Sequence, residues 1–128
     1  ILIIDQVLDW ANEITTHIAP SIRAAMREKN LAKSKKLRQH FIENDLLIWF
    51  SYLENLFKNS SLDKRFFTDK FSIADITAWR VIFWFCSGKL DLIDSSFLNQ
   101  TPILKSYYNE ICNYKPLNEL EEFKSIIN

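Results

Sequence analysis

The chain has 128 residues, suited to one domain, and its 16 basic and 16 acidic side chains cancel, which removes any bulk electrostatic case for nucleic acid or an anionic membrane. Hydrophobic residues make up 48% and aromatics 14%, so the chain is not disordered. With one Gly and three Pro it lacks the turn residues a sheet-rich domain needs, and long helices are expected.

Ile4, Val7, Leu8, Ala11, Ile14 and Ile18 recur at steps of three and four, one face of an amphipathic helix. Asp5, Asp9, Asn12, Glu13 and His17 line the remaining surface. Pro20 predicts a kink near Thr16–Pro20, because its ring displaces a hydrogen bond, and Ile22, Ala25 and Met26 carry the helix on to Glu28. A loop near Lys29-Asn30-Leu31 reverses the chain. A second long helix follows from Lys33 to Lys58, with Leu37, Phe41, Ile42, Leu46, Trp49, Leu53 and Leu56 or Phe57 on its apolar face. The two are expected to pack antiparallel. Lys33, Lys35, Lys36 and Arg38 read as a solvated basic face.

The stretch Phe71-Ser72-Ile73-Ala74-Asp75-Ile76 carries the strongest local signal. Ser72 is placed as an N-cap, and Asp75, three residues on, as its capping-box partner. Phe71 and Ile76 have the spacing of a hydrophobic staple. The helix from Ser72 to Ser87 is apolar on nearly every face, which predicts burial on all sides. Arg80 within it needs a polar partner, either an acid on the first or second helix or a polar pocket wall. Gly88 stands at the C′ position. Thr101 and Pro102 are N-cap and N1 of the next helix, with Leu104, Tyr107, Tyr108, Ile111 and Cys112, and Pro116 opens a short last one. The fold class is therefore all-α: a bundle of about five helices, two long and antiparallel, around a buried capped core helix.

Cys86 and Cys112 read as reduced core residues, which suits a cytoplasmic protein, and Cys86 is expected to be inert. No apolar run is long enough to span a membrane. Glu13 and His17 share a helix face, but a zinc site wants three or four ligands, so no metal is expected. Ser72 and Asp75 read as a structural pair, not a catalytic one, and no nucleophilic triad is spaced for catalysis. Because it starts with Ile1 and not Met, the chain is expected to be a fragment or one whose first part is not present here.

In this order the elements resemble the C-terminal helical domain of cytosolic glutathione transferases. The run Phe71–Ile76 resembles the family's F-[ST]-x-A-D-[ILV] box, which begins its buried sixth helix. Thr101-Pro102-Ile103-Leu104-Lys105-Ser106-Tyr107-Tyr108 resembles the P-x-L-x-x-[FWY] start of the following helix. Phe66-Phe67-Thr68-Asp69-Lys70 resembles the lead-in, with Asp69 where the family usually has Gly. Asp5-Gln6-Val7-Leu8-Asp9 looks most like the sigma-type branch.

The resemblance implies a domain that contributes an electrophile pocket and dimer contacts to the conjugation of glutathione to electrophiles. The catalytic residue and most of the glutathione site would lie in an N-terminal thioredoxin-like domain absent from this chain. The segment alone would then be inactive. Glutathione would be a co-substrate and there would be no bound cofactor. The whole enzyme would be a homodimer, with no nucleic-acid or membrane partner. By the same resemblance, Asp9 and Glu13 reach glutathione held by the neighbouring subunit. Asn12 stands where some sigma-type members have a second acid, which disfavours a divalent-metal effect there. Thr15, Ile18, Ala19, Thr77, Arg80 and Val81 are the implied acceptor-substrate pocket. Transferase-like helical domains also occur as non-catalytic assembly modules, and the Lys33–Arg38 face would then serve a protein partner.

Overall fold

The computed structural model describes residues 2–60 and 65–114. Among them the chain is all-helical: α1 (Leu2–Met26), α2 (Leu31–Phe41), α3 (Leu47–Ser60), α4 (Ile73–Cys86) and α5 (Pro102–Cys112). A π-helical segment, Ile42–Leu46, joins α2 to α3, and a 3-10 turn, Ser95–Gln100, precedes α5. The expected helix from Pro116 lies outside the described residues.

α1 is one continuous helix through Pro20. Its buried stripe is Val7, Trp10, Ile14, Ile18, Ser21 and Ala24, so the core takes Trp10 as well as the aliphatic residues, whereas Met26 points to solvent. The chain turns at Lys29, which adopts φ 50, and Asn30 caps α2 by accepting the Lys33 N–H at 3.0 Å. Contacts then descend along α1 as they ascend along the returning rod. Ser34 Oγ donates to Ser21 O (2.7 Å), the His17 and Trp49 rings lie 5.2 Å apart, and Trp10 Nε1 donates to Trp49 O (2.8 Å). The pairing is antiparallel.

The returning rod differs from one regular α-helix. Its buried positions are Arg38, Phe41, Leu46, Phe50, Leu53 and Phe57. The step from Phe41 to Leu46 is five residues, too long for an α-turn on one face. The π segment spans that step and keeps both ends on the core. Phe50 thereby replaces the expected Trp49 as a core residue. Arg38 is only 5% exposed, so the basic run is not one solvated face.

α4 starts as its sequence dictates. Ser72 Oγ accepts the Ala74 N–H at 3.2 Å, and Asp75 Oδ2 accepts the Ser72 N–H at 2.9 Å. Of the two staple residues, Ile76 is 40% exposed, while the Phe71 ring packs 4.6 Å from Tyr114 and 5.7 Å from Phe66. α4 is not buried on all sides. Ala74, Asp75, Ala78, Trp79, Ile82 and Phe85 face the core, while Ile73, Ile76 and Arg80 face water. Arg80 therefore needs no buried acid. Gly88 has the left-handed φ of 81 that ends the helix.

Asp75 is completely buried and ties three elements together. Besides the Ser72 N–H, it accepts the Phe67 N–H at 3.2 Å and the Tyr107 hydroxyl of α5 at 2.7 Å, both on Oδ1. α5 is capped from a distance. Thr101 makes no side-chain cap, its hydroxyl donating instead to Leu98 O. The Ile103 and Leu104 N–H groups donate to Glu54 Oε2 of α3 at 2.9 and 3.1 Å. A carboxylate there also meets the positive end of the helix dipole.

Candidate functional site

The antiparallel packing of α1 on α3 leaves an outer groove of about 420 Å³, lined by Gln6, Asp9, Trp10, Glu13, Ile48, Trp49 and Tyr52. On α1 these positions follow the helical repeat, so Asp9 and Glu13 stand one turn apart on the same wall, both exposed. Opposite them, Trp49 and Tyr52 meet edge to face at 6.2 Å. Trp10 forms the floor. Its Nε1–H is held by Trp49 O at 2.8 Å, and its ring stands on Phe50 at 5.6 Å. Glu13 O accepts a hydrogen bond from His17 Nδ1–H at 2.7 Å, which sets His17 against Trp49 at the upper edge.

The lining contains two carboxylates and no basic side chain. Carboxylates beside aromatic faces suit an ammonium or guanidinium group, through charge-assisted hydrogen bonds and cation–π contact. On this face α3 exposes Ile48 and Tyr52.

The six residues expected around an acceptor substrate are not gathered in this groove. Ile18 is wholly buried in the core, and Ala19, Thr77 and Val81 are half-buried. Thr15 and Arg80 are exposed, and the Thr15 hydroxyl donates to Ala11 O at 2.7 Å. The sequence patterns do not single out Trp10, Trp49 and Tyr52 as groove residues, or Arg38, Glu54 and Tyr107 as polar anchors. For Arg38 a signal was present: it lies one turn before Phe41 on the buried stripe. Glu54 and Tyr107 act on elements distant in sequence, and no local pattern marks them.

Cys86 offers no ready nucleophile. Burial, with the nearby Cys112 adding to it, pushes its thiol up to about 11. The sign is that of an acid whose neutral form the fold favours, so reactivity rises only as the pH approaches that value. With Cys112 replaced by Ser, Cys86 should react at pH 8 on the order of a hundredfold more slowly in the native protein than in denaturant, where a thiol titrates near 8.5. Timed reaction with a chromogenic disulfide checks this, and equal rates in the two states would contradict it.

No helix among the described residues is long and apolar enough to cross a membrane. Neither a curated protein nor a solved structure matches the chain. A family model does: that of the glutathione S-transferase C-terminal domain matches residues 17–122, so it takes in Asp75, its lead-in and Tyr107, and begins after Asp9 and Glu13. With this match over most of the chain, and an all-helical bundle built on a capped core helix, the chain belongs to the glutathione S-transferase C-terminal domain family.

Proposed function

We propose that this chain is the helical half of a glutathione transferase, in which the thiolate of glutathione adds to an electrophile. In this reading it supplies part of the electrophile pocket, around Thr15, Ala19, Thr77, Arg80 and Val81, and the α1/α3 face is the dimer contact. The thiolate-stabilising residue belongs to a thioredoxin-like partner domain, and the enzyme works as a cytoplasmic homodimer. The sigma-type assignment rests on the Asp5–Asp9 run alone.

The observation that carries the proposal is the α1/α3 groove, with Asp9 and Glu13 facing Trp49 and Tyr52. Its charge suits the cationic amino group of glutathione presented by a second subunit. The exposed Ile48 and Tyr52 in its lining suit an apolar contact between subunits.

The test uses the chain joined to its thioredoxin-like domain, assayed with glutathione and a chromogenic electrophile. The Asp9→Asn, Glu13→Gln double variant should raise the KM for glutathione roughly tenfold or more, the loss of charge-assisted hydrogen bonds, with kcat nearly unchanged. Ile48→Glu should convert the dimer to monomer on sizing chromatography. An unchanged KM would remove the cross-subunit role of the two acids, and an intact dimer would remove the α1/α3 face as the contact.

A further inference from the structure

Arg38 is a buried cation without a paired anion. Its Nε–H donates to Ser21 Oγ at 2.9 Å and its Nη1–H to Asp91 O at 2.7 Å. A hydroxyl and a backbone carbonyl thus take the place of a carboxylate, and no carboxylate of a described residue lies within 4.0 Å. Among the described residues the guanidinium makes no further hydrogen bond. Burial lowers its proton affinity, and the charge of Asp91 only partly opposes this. A charge kept in the interior at this cost calls for a counter-charge.

The surroundings are shaped to receive one. Arg38 lines two adjoining hollows, of about 380 Å³ and about 280 Å³, that share Ser34 and Asp91. Lys35 stands in the first and Lys89 in the second, so three cations face one acid. The other walls are apolar, with Leu31 and Leu92 on one side and Met26 and Trp84 on the other. Leu92 adopts φ 70, a left-handed conformation disfavoured for its side chain, immediately after the residue whose carbonyl receives Arg38.

We propose that this junction of α1, α2 and the loop after α4 binds a small organic oxyanion, a phosphate or carboxylate group on an apolar body. The charged group meets Arg38 between Lys35 and Lys89, and the apolar body rests against Leu92 or against Met26 and Trp84. The site lies on different residues from the Asp9 and Glu13 groove, and the inference is independent of the transferase reading.

Phenylphosphate, benzoate and inorganic phosphate are each titrated into the protein, with sodium chloride at matched ionic strength as the reference. The thermal midpoint should rise saturably with phenylphosphate or benzoate, because a ligand of the native state stabilises it, and the stronger of the two identifies the head group. Lys35→Gln with Lys89→Gln alters only exposed side chains and should weaken binding roughly tenfold. Asp91→Asn removes the competing carboxylate and should tighten it. Arg38→Gln, if folded, should abolish it. A rise no larger than that given by chloride overturns the proposal, as does saturable binding unchanged in the double lysine variant. Inorganic phosphate binding as tightly as phenylphosphate overturns the apolar half of it.

Discussion

Replacing Asp75 with alanine is expected to destabilise the domain by roughly 3–5 kcal/mol, enough to leave a domain of ordinary stability partly unfolded. The loss is large because the side chain is completely buried and serves four donors on three elements: the Ser72 N–H and hydroxyl, the Phe67 N–H and the Tyr107 hydroxyl. Alanine strands them without water to replace the acceptor. Tyr107→Phe removes one donor and should cost about 1.5–3 kcal/mol, and Ser72→Ala, a cap alone, roughly 0.5–2 kcal/mol. Urea unfolding checks the order. A loss below that of Ser72→Ala would show that Asp75 only caps α4. Burial pushes the Asp75 carboxyl up, against hydrogen bonds from Tyr107, Ser72 and Phe67 that pull it back. An acid with a raised folded value holds its proton more tightly when folded. Its contribution is therefore full below the ordinary value near 3.9, and stability falls as the pH rises through the raised one.

Phe85→Ala is expected to cost about 3–5 kcal/mol, the usual loss for a buried phenyl group and the cavity it leaves. Phe85 is fully buried at the crossing of four elements. Its ring lies 5.3 Å from Phe50 of α3, 6.0 Å from Phe41 of α2 and 6.3 Å from Phe97 of the 3-10 turn, with its α4 neighbour Trp84 at 5.4 Å. Phe85→Leu should keep most of that stability, because the volume changes little. Phe83→Ala, on the half-buried side of the same helix, serves as the comparison and should cost clearly less. Equal losses at the two positions would mean that the aromatic cluster is not a centre of the core.

What was legible in the chain was local. The capping box, the left-handed Gly88 and the two antiparallel helices follow from residues within a few positions of one another. The misplacements have different physical causes. Thr101 need not cap because Glu54 already does. A uniform helical repeat put Trp49 in the core, whereas the five-residue step from Phe41 to Leu46 requires a π turn and puts Phe50 there. The same turn leaves Trp49 and Tyr52 to line the groove opposite Asp9 and Glu13. Half of the candidate site was thus visible as two acids on one helix face, and the aromatic half depended on the register of α3.

The functional proposal stands on the charge that this groove receives. Calorimetric titration of the chain joined to a thioredoxin-like domain, with glutathione and with its N-acetylated analogue, which lacks the cationic amino group, tests it most directly. The wild type should bind glutathione roughly tenfold more tightly than the analogue, and the Asp9→Asn, Glu13→Gln variant should bind the two alike. The same preference in variant and wild type would contradict the account, because the amino group would then be recognised elsewhere.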